Sequence, residues 1–340
     1  MTPPRTVKPM TEPTFPLQDA RPGIDPTFKS LLDAFPMTFR AADGVETARS
    51  RLKLLQVPDE MLPDVRIEER TIGHGDLTDI PVRIYWPGGD VEADRPHPVV
   101  VFYHGGGFSL GDLDTHDPVA RAHAVGAGAI VVSVDYRLAP EHPFPAAVHD
   151  SWAALQWVAA NAAALGGDPD RIAVAGDSAG ANLAAVMAHL ARDNVRAGAG
   201  PELKFQLLWY PVVTADLSLP SYLENANAPI LDRDVIDAFL SWYLPDVDLT
   251  DPTTLPVILA PANAEDHSAL PPAYIGTAEH DPLRDDGTRY AELLTAAGVP
   301  VELSNEPTLV HGYVSFAMVV PAAADATNRG LAALKRALHS

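Results

Sequence analysis

Short apolar runs alternating with helical stripes constrain this chain more than any other feature. Val99-Val100-Val101-Phe102-Tyr103, Ala129 to Val134, Ile172 to Ala175, Phe205 to Trp209 and Ala273 to Thr277 are mostly apolar and too short for helices. Strands buried on both faces look like this. The chain already reads as strand from about Ile67, and Ile80 to Trp86 alternates ahead of Pro-Gly-Gly. Val301 to Ser304 is a weaker eighth candidate. Helical spacing separates several of these runs. Val148, Trp152, Leu155 and Ala159 make one stripe, ending near Gly166-Gly167, where a helix stop belongs. Leu183, Val186, Met187 and Leu190 make another, and Leu331, Leu334 and Leu338 a last one. Strands alternating with helices give an α/β fold with a largely parallel sheet.

Two segments stand outside this alternation. Ahead of the first strand, Phe28, Leu31, Leu32 and Phe35 fall on one helix face, as do Val45, Ala48, Leu52 and Leu55. Between Ala215 and Pro245, a helix carrying Val235, Ile236, Phe239, Leu240 and Tyr243 is capped by Asp232. We therefore expect a helical cap segment over residues 1–56, preceded by a proline-rich arm. A main domain should follow over 57–340, with a second cap insertion at 215–250. A length of 340 residues accommodates one large domain with a cap.

Composition excludes several function classes. There is no cysteine, so disulfides, thiolate metal sites and a cysteine nucleophile are ruled out. Absence of disulfides fits a reducing compartment. A formal charge of -21 repels nucleic acid and anionic membranes; it reads as solubility first, with salt adaptation as the alternative. Met1 to Gln18 holds no apolar core of signal-peptide length, and no run approaches a transmembrane helix. A cytoplasmic protein without membrane or nucleic-acid partners is expected. A homodimer is a common state for soluble proteins.

Gly176-Asp177-Ser178-Ala179-Gly180 follows a strand and precedes a helical stripe. In that context Gly-x-Ser-x-Gly is a nucleophile elbow: a sharp turn that projects the serine hydroxyl above the sheet. His104-Gly105-Gly106-Gly107-Phe108 follows the Val99 to Tyr103 strand. Bare backbone N–H groups there suit the oxygen anion of an acyl-transfer intermediate, together with the N–H of Ala179. His104 itself reads as a structural hydrogen-bonder. Asp281 stands in the turn past the Ala273 to Thr277 strand, and His311 beside Gly312 in the last loop. That order, Ser then Asp then His, suits a triad in which His311 takes the Ser178 proton and Asp281 orients it. Asp285 and Asp286 read as first-turn residues of the next helix. The acidic stretch Asp112 to Asp117 lacks the glycine and distal glutamate of a calcium loop, so no metal is expected. Gly126-Ala127-Gly128 precedes a strand, whereas a dinucleotide loop follows one.

These stretches together resemble the bacterial esterases related to hormone-sensitive lipase, family IV of bacterial lipolytic enzymes. HGGGF at His104, DYRLAPEHPFPAA from Asp135, GDSAGAN from Gly176, DPLRDDG from Asp281 and HGY at His311 carry the resemblance, which runs from about residue 80 to the end. It departs at Ala181, usually glycine, and at Tyr313, often phenylalanine. The resemblance implies the α/β-hydrolase fold, a mostly parallel central sheet flanked by helices under a helical cap. It also implies a carboxylesterase acting on small-molecule esters of short to medium acyl chain, without a cofactor. Carried over, Ser178, Asp281 and His311 form the triad, and the oxyanion donors are the N–H groups of Gly106, Gly107 and Ala179. Cap helices near Phe28 and Phe239 would wall an acyl pocket, joined by Phe108 and Tyr210. An amidase, peptidase or acyltransferase with the same triad is the alternative activity. A non-catalytic binding protein on the same scaffold is the more distant one.

Overall fold

The apolar runs become strands of one eight-stranded sheet. They are β1 (Arg66–His74), β2 (Leu77–Trp86), β3 (His97–Tyr103), β4 (Ile130–Val134), β5 (Gly167–Asp177), β6 (Leu203–Trp209), β7 (Ala273–His280) and β8 (Val301–Val310). The computed structural model describes residues 21–34, 41–54, 57–74, 77–88 and 95–340. Across the sheet the order is β1-β2-β4-β3-β5-β6-β7-β8. The β1–β2 and β2–β4 pairings are antiparallel, and every other pairing is parallel.

Nine α-helices flank the sheet among the described residues. They are α1 (Pro26–Ala34), α2 (Val45–Lys53), α3 (Asp117–Ala127), α4 (Ala146–Asn161), α5 (Ala179–Arg196), α6 (Pro220–Glu224), α7 (Arg233–Tyr243), α8 (Arg284–Ala296) and α9 (Pro321–His339). Because strand side chains alternate, β3 feeds two cores at once. Val99, Val101 and Tyr103 join the core under α4, α5 and α8. Val100 and Phe102 join the opposite one, under α3 and α9. Burying each such side chain contributes about 1.5–3 kcal/mol, which is why these strands read as unbroken apolar runs. Gly126, in the last turn of α3, has a packing use. A Cβ on Gly126 would meet the Leu331 side chain of α9.

Asp232 caps α7 as its position suggested, accepting the Val235 N–H at 2.9 Å. Tyr222, Leu231, Val235 and Ile236 pack with Leu283 as a small separate cluster. Phe28 is wholly buried, packs against Phe316 at 4.8 Å between ring centroids, and belongs to the core under α9. Its side chain borders neither cavity at Ser178; Ala34 at the end of α1, with Ala48 and Leu52 of α2, borders the wide one. Phe35, Leu55 and the proline-rich stretch from Met1 to Gln18 lie outside the described residues. No described helix is long and apolar enough to cross a membrane.

Candidate active site

The central strands β3, β5 and β7 and the edge strand β8 end at the same rim of the sheet, and each ends in a residue of the site. At the end of β5 the chain reverses into α5 through Ser178, whose φ is 55°. That left-handed conformation costs a non-glycine residue energy and persists only where neighbours over-determine it. Here the Ser178 N–H donates to Trp209 O at 2.9 Å. On the other side, Gly180 lies so near the backbone of Tyr103 and His104 that a Cβ could not fit. Strand, strained turn and helix are thus locked together, and the serine side chain is left pointing away from all three.

His311 follows β8 and reaches both partners. Its Nε2 lies 3.0 Å from Ser178 Oγ and its Nδ1 2.8 Å from Asp281 Oδ2. A carboxylate only accepts, so Nδ1 carries the proton and Nε2 is free to take one from the hydroxyl. Asp281, at the end of β7, is wholly buried. Its other oxygen, Oδ1, accepts the Leu283 N–H at 2.8 Å, which fixes the carboxylate plane toward the imidazole.

The glycine loop after β3 faces Ser178. Gly107 has a φ of 59°, and a Cβ there would enter the Phe239 ring. Ala179 opens α5, where first-turn N–H groups have no partner within the helix. The loop is fixed from below by Asp177, a residue whose role the motif did not disclose. Its Oδ1 accepts the Gly105 N–H at 2.9 Å, and His116 Nε2 stands 3.7 Å away. Burial pushes the Asp177 carboxyl up, but His116, His104 and the Gly105 N–H together hold it below the usual carboxylate range. His104 is structural, as its place in the chain suggested. Its Nδ1 donates to Gly105 O at 2.8 Å and its ring stacks on Tyr136 at 4.3 Å. Burial pulls its pKa down to about 4.

Two cavities meet at Ser178. A wide one of about 590 Å³ is bordered by His311, His116 and, from α2, Ala48 and Leu52. A narrow one of about 80 Å³ is bordered by Phe108, Asn182, Leu217 and Tyr222. Gly107, Ser178, Leu231 and Phe239 border both. Phe108 thus borders the narrow cavity and Phe239 both of them. Tyr210 does not. It is wholly buried beneath His311, with ring centroids 4.7 Å apart, and borders neither cavity.

Asn182 ends the Gly176 to Asn182 stretch. Its Nδ2 donates to Val212 O at 2.7 Å and to Leu259 O at 2.8 Å, tying α5 to the cavity wall. The acidic stretch after Gly111 spends its oxygens locally. Asp112 accepts the Thr115 N–H, Asp114 pairs with Arg83, and Asp117 holds Arg121 and the Tyr85 hydroxyl.

Comparison with known proteins agrees with this fold. A family model described as alpha/beta hydrolase fold matches residues 100–315. Carboxylesterase NlhH of Mycobacterium tuberculosis (strain ATCC 25618 / H37Rv) is 73% identical over 331 residues, covering 97% of this chain and 100% of that protein. Esterase LipI of the same strain is 55% identical over 322 residues, covering 94% and 97%. Among solved structures, the hyperthermophilic esterase from the archaeon Pyrobaculum calidifontis superposes with a TM-score of 0.80 at 40% identity, covering 92% of this chain and 98% of that one. The chain belongs to the α/β-hydrolase fold family, on its hormone-sensitive-lipase-like branch.

Proposed function

We propose that this chain is a serine carboxylesterase that hydrolyses small-molecule esters of short to medium acyl chain through an acyl-enzyme. The observation that carries the reading is the hydrogen-bonded series Ser178 Oγ, His311 and Asp281 at the mouth of a two-armed cavity. Ser178 attacks the ester carbonyl while His311 takes its proton. The N–H groups of Gly106, Gly107 and Ala179 receive the charge that develops on the carbonyl oxygen. His311 then returns the proton to the departing alcohol, and water repeats the cycle to release the acid.

The two cavities sort the substrate. His311 must protonate the leaving oxygen, so the alcohol lies in the wide cavity, which His311 borders. The acyl chain is left with the narrow one. At about 10–15 Å³ for each water-sized group, 80 Å³ takes roughly half a dozen of them, which supports a short chain. Helix α2 and the segment from α6 to α7 act as the cap over these arms. A cytoplasmic location fits the absence of cysteine.

Hydrolysis of nitrophenyl esters from acetate to palmitate tests the reading. Turnover should peak at short chains and vanish in Ser178→Ala. A peak at palmitate, or full activity in Ser178→Ala, would overturn it.

A further inference from the structure

Two carboxylates that this reaction does not use stand in the first turn of α8. Asp286 is wholly buried, where a carboxylate without partners is costly. Its Oδ1 accepts the N–H groups of Val213 and Thr214, both at 2.9 Å, and the Thr214 hydroxyl at 2.8 Å. Asp285 Oδ2 accepts the Ser221 N–H at 2.9 Å, and the Ser221 hydroxyl donates to Pro282 O at 2.6 Å. Asn225 completes the series. Its Nδ2 donates to Asp281 O at 3.0 Å and to Glu279 O at 3.2 Å.

The segment tethered in this way leaves β6 and forms a wall of the narrow cavity through Ala215, Leu217 and Tyr222. Asn182 of the nucleophile helix holds the same segment from its other side, at Val212 O. Between the two anchors Ala215 has a φ of 53°, a conformation that an alanine keeps only under constraint. The turn that aims Asp281 at His311 is therefore also the turn to which the cavity wall is bolted.

We infer that Asp285, Asp286 and Asn225 are positioning residues that set the depth of the narrow cavity and hold it in register with Asp281 and His311. The inference rests on the reading that this cavity takes the acyl chain of an ester attacked by Ser178. A pocket senses single methylenes by about tenfold or more, and a shift of about 1 Å at the reacting carbon costs up to a hundredfold. Acyl selectivity is thus held in the Asp281 turn as well as in the side chains that line the cavity.

The test assays Asp285→Ala, Asp286→Ala and Asp286→Asn on nitrophenyl acetate, butyrate, hexanoate and octanoate. Active enzyme is counted by fluorophosphonate labelling of Ser178. Both alanine variants should lose about tenfold in kcat/KM on the best chain. They should also flatten the profile, with longer chains losing least. Asp286→Asn keeps a carbonyl oxygen for the three donors and should restore the wild-type profile. An equal loss at every chain length, as a merely structural defect would give, overturns the inference. So does an Asp286→Asn profile no nearer wild type than that of Asp286→Ala. If Asp286→Ala does not fold, Asp285→Ala decides alone, since that side chain is partly exposed. Wild-type enzyme unlabelled at Ser178 would defeat the acyl-enzyme reading itself and the inference with it.

Discussion

At the scale of single residues, the proposed chemistry concentrates where the backbone is strained and the polar groups are buried. Ser178 holds a φ of 55°, and the carboxylate behind His311 is excluded from water. In the proposed mechanism, replacing Ser178 by alanine removes the attacking atom and should lower kcat by about a millionfold, by analogy with serine proteases. Asp281→Asn keeps the shape but lets His311 adopt the wrong tautomer, a change worth about ten-thousandfold in the analogous triad. Asp285→Asn should cost far less. If Asp285→Asn proved the more damaging of the two in a stopped-flow comparison, the acid would be misassigned. Ser178, Asp281 and His311 were legible because each sits one step past a strand, and strand ends are visible as breaks in apolar runs. Tyr210 was misplaced for an equally physical reason. It too follows a strand, but its N–H donates to Gly276 O and its ring turns beneath His311 instead of into the cavity. Asp286 and Asn225 act on segments more than fifty residues away, so no local pattern announces them.

At the scale of elements, the glycine loop after β3 and helix α7 meet face to face. Gly107→Ala would drive a methyl into the Phe239 ring at a backbone conformation that alanine rarely adopts. The proposed oxyanion donors would move, and loss of one such donor costs roughly a hundred- to a thousandfold in kcat. Phe239→Ala should leave kcat on acetate nearly intact and extend turnover to longer chains, because that ring borders both cavities. An unchanged chain-length profile would remove Phe239 from the substrate-binding residues. The helices themselves were legible from their apolar spacing, but the side of the molecule they cover was not. Phe28 and the α2 residues show the same periodicity, yet one packs into the core under α9 and the other borders the wide cavity. Periodicity defines a buried face without saying what it is buried against. The edge strand β8 was only half legible for a related reason. It runs Val301–Val310, but its outer half carries polar residues and Pro307, as edge strands do.

At the scale of the whole molecule, buried titratable groups set how stability depends on pH. Burial holds His104 and His123 at about 4 and His189 at about 3. An unfolded histidine titrates near 6.5. As pH falls from about 6.5 toward 4, the unfolded chain takes protons that the folded one refuses, so stability is lost through that window. Asp135 and Asp286 oppose this. Burial raises both to about 6, so their contribution grows as pH falls from 6 toward 4. Three histidines outweigh two aspartates near pH 5. The thermal midpoint should therefore be lower at pH 5 than at pH 7.5, on the order of a few degrees. An unchanged or higher midpoint at pH 5 would mean that the histidines are not held neutral. The sheet that buries them was the most legible part of the chain, since strands covered on both faces must be apolar throughout.

The most direct test of the central claim is the mass of the intact protein, and of its tryptic peptides, after brief exposure to a fluorophosphonate. The geometry predicts one adduct per chain, on the peptide containing Ser178, and none in Ser178→Ala. It also predicts much slower labelling in His311→Ala, where the proton acceptor at 3.0 Å is gone. An adduct on another serine, or ester hydrolysis by a protein that the reagent leaves unmodified, would contradict the account.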